Sequence, residues 1–256
     1  MIRYLSLFSG AGLLDFGLHS SVPALSCVAA CELDPTRRRI FGAHFPGARL
    51  FGDVAELARA PGLLGSAGAG VEGIVAGIPC NLFSTANTSA GNTREISDGP
   101  AKHALSLVSS LRPRWCLFES SGRAGTWARW VPAVRGSLWA RGHASVCVRL
   151  CPAGRGAPHE RPRAFVFSWR SAADSDRDSE PARAVHAEAS RLRAAASTPW
   201  DGRIPPGFGV RLDHGADVAL ARAIGYGVDQ RSAQDAGGIL GALIAALESG
   251  PDLSRR

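Results

Sequence analysis

A chain of 256 residues with 45% hydrophobic side chains and a mean hydropathy of +0.01 can bury one sizeable core, which excludes fibrous and disordered classes. No run approaches the roughly 18 to 20 uninterrupted apolar residues of a membrane span, and MIRYLSLFSGAG at the N-terminus reads as a first strand rather than a secretion signal, so a cytoplasmic protein with no membrane contact is expected. The formal charge is +7 and Lys102 is the one lysine among 29 basic residues; arginine suits phosphates and base edges, which makes nucleic acid a candidate partner.

The first 170 residues alternate between strand-like and helix-like segments. RYLSLF (3–8) is expected to be a strand, followed by a turn and helix over 10–21. LSCVAACEL (25–33) is a second strand that ends in an acid. A helix follows over 35–45, with Pro35 in its first turn. ARLFGDV (48–54) and GIVAGIPC (73–80) are two further strands. The segment 101–113 is helical, because Ala104, Leu107, Val108 and Leu111 recur at i, i+3, i+4 and i+7. WCLFES (115–120), ASVCVRLCP (144–152) and RAFVFSWR (163–170) complete the strands. Such alternation predicts an α/β, Rossmann-like fold with a mostly parallel sheet and helices on both faces.

Beyond residue 170 the texture changes. The stretch 171–216 is rich in Ala, Ser, Asp and Arg and is expected to be a linker or a short variable, target-recognition region, partly disordered or loosely helical. Apolar helical periodicity returns over 217–248, predicting helices that pack back on the 1–170 domain, with 249–256 as a tail. The six cysteines are expected to be reduced thiols. The pairs Cys27/Cys31 and Cys147/Cys151 sit in strand-like runs, where core positions explain them better than a metal does.

Four constellations carry chemistry. Gly10 and Gly12 in FSGAGLLDFG follow a strand and open a helix, which permits a tight turn and close backbone approach to a ligand. Glu32 and Asp53 end the next two strands. Each is placed either to accept from a nucleoside, Glu32 from ribose hydroxyls and Asp53 from an adenine amino group, or merely to cap a helix. Pro79-Cys80 stands where a strand gives way to a small, polar, Gly-containing segment over 81–100, the composition of a closing loop. Glu119 ends another strand, and Arg161 and Arg163 enter the last one. The strand order directs the thiol, the acid and the two guanidinium groups toward one pocket.

Taken in order, these segments resemble the DNA (cytosine-5) methyltransferase family over most of the chain. FSGAGLLDFG is similar to the family's first motif, GIPCNLFSTAN to its Pro-Cys motif, FES to its Glu-Asn-Val motif, PHERPR to its Gln-x-Arg-x-Arg motif and ARAIGYGV to its closing motif. The resemblance implies a methyltransferase fold that binds S-adenosyl-L-methionine. Phe8, Gly10, Gly12, Leu14, Glu32, Asp53, Val54, Pro79, Gly227 and Val228 would contact this cofactor. It implies a DNA substrate with its cytosine flipped into the pocket, contacted by Asn81, Ser84 and His159. It also implies covalent catalysis by Cys80, with Glu119 at cytosine N3 and Arg161 and Arg163 positioning the base or its phosphate.

The chain departs from the family pattern at Leu13, Asn81, His159, Tyr226 and Asp229. Ser120-Ser121 replaces Asn-Val, and Glu119 is therefore expected to be held more loosely. The stretch 171–216 is short for a target-recognition domain, so sequence reading is expected to be rudimentary or supplied by another protein. The alternatives are a catalytically weakened or partner-dependent homologue, or the same chemistry on RNA or a nucleotide.

Overall fold

The computed structural model describes residues 1–79, 99–155, 161–171, 179–195 and 229–249, and every structural statement below concerns these. The strands are β1 (Ile2–Leu7), β2 (Leu25–Cys31), β3 (Arg49–Phe51), β4 (Gly73–Gly77), β5 (Trp115–Ser121), β6 (His143–Leu150) and β7 (Arg163–Arg170). They form one sheet in the order β3-β2-β1-β4-β5-β7-β6. The first five strands in this order run parallel, and β7 is antiparallel to both β5 and β6. Each strand assigned from the sequence is present.

The helices are α1 (Leu13–Ser21), α2 (Pro35–His44), α3 (Val54–Arg59), α4 (Ala101–Leu111), α5 (Ala124–Trp139), α6 (Glu180–Ala194) and α7 (Gln230–Ser249). Side-chain alternation splits the strands between two cores. Tyr4, Val75, Trp115, Leu117, Phe165 and Phe167 face α1, α6 and α7. Leu5, Leu7, Ile74, Ala76, Phe118 and Val166 face α3, α4 and α5. Both faces are therefore covered, which is why the central strands are apolar throughout instead of alternating with polar residues.

Two elements differ from the sequence expectation. Within 171–216, residues Glu180–Ala194 form a regular, packed helix where a loosely helical segment was one of the expectations. Ser179 caps it by accepting from the Ala182 N–H at 3.3 Å, and Ala182, Val185, Ala189 and Leu192 are buried. The apolar stripe is real but half of it is alanine, so its hydropathy is low. The second is α5, which the sequence reading did not assign; Pro132 stands inside it and reads as a helix breaker. At the C-terminus α7 packs on α1 and α6. Among the described residues, no helix is long and apolar enough to cross a membrane.

Candidate active site

Parallel sheets of this kind bind ligands where the strand order reverses, at the carboxyl ends of the strands. Here that point lies between β1 and β4. A cleft of about 970 Å³ opens there, large enough for a nucleoside cofactor and a base together.

One wall is the turn from β1 into α1. Phe8 (φ 53°), Gly10 (φ 57°) and Gly12 (φ 90°) all lie in the left-handed region. Glycine adopts that conformation freely, whereas Phe8 is held in it at a cost. The Ser9 N–H donates to the Cys31 carbonyl at 3.2 Å, and the Ser9 hydroxyl bonds the Ser6 carbonyl at 3.1 Å, which pins the turn. A Cβ at Gly10 would meet nothing within 4 Å, so the space above it is open to the cleft. A Cβ at Gly12 would stand 3.0 Å from Phe45 and 3.1 Å from Phe41; Gly12 is there for the turn and for packing on α2. The N-terminus of α1 carries no side-chain cap, and Leu13 and Leu14 at its start line the cleft. Its first N–H groups and the positive end of its dipole favour an anionic ligand group.

The second wall holds the carboxylates. Glu32 is 8% exposed and accepts from the Gly10 N–H at 2.8 Å and the Asp34 N–H at 3.0 Å. It braces the turn as well as facing the cleft. The cap of α2 is Asp34, which accepts from the Arg37 N–H. Asp53 caps α3 through the Ala55 N–H at 2.7 Å and also lines the cleft with Val54. Asp53 is thus a helix cap whose side chain also stands at the cleft wall. Leu33, which sequence reasoning passed over, lines the same wall with 73% of its surface exposed. An apolar side chain left in water beside two carboxylates suits a flat, partly apolar ligand.

The floor is formed by the ends of β4 and β5. Pro79, Glu119, Ser120, Ser121 and Arg163 line the cleft together with the β1–α1 turn. Glu119 and Arg163 pair at 2.8 Å between Oε1 and Nε, with side chains only 13% and 11% exposed. Burial pushes the Glu119 carboxyl up from 4.5 to about 6, against the opposing pull of Arg163 and Arg161. At neutral pH the group is mostly ionised yet close to taking a proton, the poise of a group that hydrogen-bonds or protonates a ring nitrogen. Glu119 is not loosely held after all: Arg163 fixes its carboxylate, and the Ser120 hydroxyl donates to the Ile78 carbonyl at 3.3 Å. His103, at the start of α4, also faces the cleft, and partial burial with Lys102 holds its pKa below the ordinary value. Neither Ser120 nor His103 was legible as a site residue; each lies beside an expected one only in space or as its immediate neighbour.

Of the residues expected from sequence, Phe8, Gly10, Leu14, Glu32, Asp53, Val54, Pro79, Glu119 and Arg163 line this single cleft, while Arg161 stands close enough to Glu119 to stabilise its charge. Cys80, Asn81, Ser84, His159, Gly227 and Val228 lie outside the described residues. Among the described residues, no cluster of three His, Cys, Asp or Glu side chains could hold a metal ion.

Known proteins share this fold. A type II methyltransferase of Bacillus subtilis, M2.BsuMI, is 28% identical over 151 residues, which is 54% of this chain and 36% of that protein. Spodoptera frugiperda DNMT2 superposes with a TM-score of 0.54 at 18% identity, over 68% of this chain and 51% of that one. A putative DNA modification methyltransferase from an Escherichia coli prophage gives 0.51 at 19% identity, over 69% and 49%. The chain thus spans about a third of the curated relative and about half of the solved structures, and these structures establish the shared fold. The sequence profile of the C-5 cytosine-specific DNA methylases matches residues 2–198; the chain belongs to that family, whose methyl donor is S-adenosyl-L-methionine.

Proposed function

We propose that this chain methylates C5 of cytosine in DNA through a covalent adduct between the Cys80 thiolate and C6. One observation carries the reading: the Glu119–Arg163 pair, the Pro79 that precedes Cys80, and the Gly10/Glu32/Asp53 wall border one cleft.

The donor groups present fit the cofactor. The uncapped α1 N-terminus would hold its carboxylate, Glu32 its ribose hydroxyls and Asp53 its adenine amino group, with Leu33 against the adenine face. When bound, S-adenosyl-L-methionine supplies an electrophilic methyl group on a sulfonium, beside the base. The chain's residues prepare the acceptor. C5 of cytosine is a poor nucleophile until a thiolate adds to C6. Cys80 forms that carbon–sulfur bond, and the displaced electron pair passes through the ring to C5. Glu119 donates to or holds N3, so charge does not accumulate on the ring. Arg163 and Arg161 orient the carboxyl and the base. After C5 has been methylated, loss of the C5 proton and departure of the thiolate restore the aromatic ring. In duplex DNA the cytosine must first leave the stack and enter the cleft.

The test uses purified protein, cofactor labelled in its methyl group, and cytosine-containing DNA. Label transfer to DNA is expected, along with a denaturation-resistant adduct on 5-fluorocytosine DNA. Cys80→Ala is expected to abolish both. Cofactor binding by calorimetry without transfer or adduct, across DNA, RNA and CMP, would overturn the reading; transfer to RNA or CMP alone would change its substrate.

A second reading concerns target choice. Because α6 is packed into the core, the sequence between β7 and α7 that does not belong to it is reduced to 171–179 and 195–229. We infer that a separate protein supplies sequence recognition. Purified chain that methylates one sequence context selectively, by bisulfite sequencing, would exclude this.

A further inference from the structure

We propose that Ser120 is a positioning residue, which locks the Ile78–Pro79 peptide against the end of β5 and so sets where the chain departs toward Cys80. The inference rests on the reading that Cys80 and Glu119 act on one base.

β4 and β5 pair in register up to Gly77 and Glu119. The ladder continues one step past β4, with the Ile78 N–H donating to the Glu119 carbonyl at 2.8 Å. The Ile78 carbonyl is then taken by a side chain, the Ser120 hydroxyl, at 3.3 Å. Both polar groups of Ile78 are thus gripped by two consecutive residues of β5. One of those residues carries the acid, and its side chain faces the cleft.

The carbonyl matters because of what it is bonded to. It belongs to the amide whose nitrogen is in the Pro79 ring. That amide is planar, and the ring fixes the next backbone rotation. Orienting this one carbonyl therefore orients Pro79 and the bond leading to residue 80. Pro79 has no N–H with which to anchor itself, so a donor to the preceding carbonyl is the handle that remains. The surroundings are tight: a Cβ at Gly77 would stand 3.3 Å from the Phe8 carbonyl oxygen and 3.7 Å from Glu119 Oε2. The ends of β1, β4 and β5 meet here, and Ser120, 1% exposed, ties two of them. The hydroxyl thus holds the end of β4 against the residue next to the acid.

The variants are Ser120→Ala and Ser120→Thr, with Ser120→Cys, close in shape but a weak donor, in place of the alanine variant if that does not fold. Three quantities are read: the alkylation rate of Cys80 by iodoacetamide, followed by peptide mass spectrometry; the single-turnover methyl-transfer rate; and cofactor affinity. Losing the hydroxyl is expected to change the alkylation rate at least about threefold and to slow methyl transfer about 10- to 100-fold, the scale of a small misplacement of a reacting group. Cofactor affinity stays within about twofold, and Thr restores both rates. Rates within twofold of wild type in the alanine variant, or a threonine variant as impaired as it, would overturn the proposal. If the wild-type protein neither methylates nor forms the adduct, the proposed activity falls, and the alkylation comparison still decides whether Ser120 positions the loop.

Discussion

Asp15 is a carboxyl group with 1% of its surface exposed, and it shows how this protein stores charge beside the cleft. It accepts from the Tyr4 hydroxyl at 2.9 Å; the same hydroxyl bonds His19 Nε2 at 3.1 Å, and Cys27 lies close to the group. Burial raises the Asp15 pKa from 3.8 to about 6, although the Ser6 and Tyr4 hydrogen bonds pull it down. The folded state therefore binds the proton more tightly than the unfolded chain. Below about pH 4 the group is neutral in both states and costs nothing; as pH rises through 6 the folded protein must ionise it, and stability is lost. The gap corresponds to about 3 kcal/mol at most, at roughly 1.4 kcal/mol per pH unit. Asparagine keeps the acceptor for Tyr4 and cannot ionise. Asp15→Asn is expected to be more stable than wild type at pH 8, by up to that amount, with the difference vanishing near pH 4. Urea titrations at the two pH values check it, and an equal difference at both would refute the ionisation argument. Residue chemistry of this kind was only partly legible. Glu32, Asp53 and Glu119 announced themselves as acids ending strands, whereas Asp15, in the first turn of a helix, gave no sign that it would be buried beside the cleft.

At the scale of elements, α1 must sit close to α7 because nothing larger than glycine fits between them. A Cβ on Gly17 would lie 2.3 Å from the Ala233 Cβ, 2.7 Å from the Ala233 carbonyl carbon and 2.9 Å from the Gln234 nitrogen. The contact is reinforced by the Ser21 hydroxyl, which donates to the Gln234 carbonyl at 2.8 Å. Gly17→Ala is expected to destabilise by about 1–3 kcal/mol, the range for overpacking a tight site. It should also weaken cofactor binding, because a displaced α1 carries its N-terminus out of the cleft wall. Ala233→Gly should restore only part of the loss, since two of the three close contacts are to backbone. Chemical denaturation and calorimetry of the single and double variants check this; full rescue would mean the clash is confined to the Ala233 methyl. The strands were legible because residues buried on both faces are continuously apolar. That β7 returns antiparallel between β5 and β6 was not legible, because strand periodicity carries no direction. α5 and α6 were not legible, for different reasons: Pro132 interrupts the pattern of α5, and the apolar stripe of α6 is narrow, with two alanines beside Val185 and Leu192.

For the whole molecule, the question is how a chain with this core would engage DNA as proposed. The sheet order could not be read from periodicity, which identifies strands but not neighbours; the mostly parallel sheet was expected, and its order comes from the structure. The stretch 171–216 is the part where composition was the only guide, and residues Glu180–Ala194 of it form α6, packed on the core. What remains for DNA is the formal charge of +7, almost all of it arginine, together with the cleft. Arginine contacts to phosphates supply affinity and fix register, but they carry no direct sequence information. Binding by this chain alone should therefore depend on salt much more than on sequence. Between 50 and 200 mM salt its affinity for duplex DNA is expected to fall on the order of 10- to 1,000-fold, for a handful of phosphates neutralised. At fixed salt, cytosine-containing duplexes of unrelated sequence should bind within about tenfold of one another, against the roughly 10³-fold or more of a dedicated reader. Fluorescence anisotropy on a panel of duplexes at three salt concentrations measures both slopes. A flat salt response combined with discrimination above about a hundredfold would mean that the stretch 195–229 reads bases directly, and the need for a separate recognition protein would disappear.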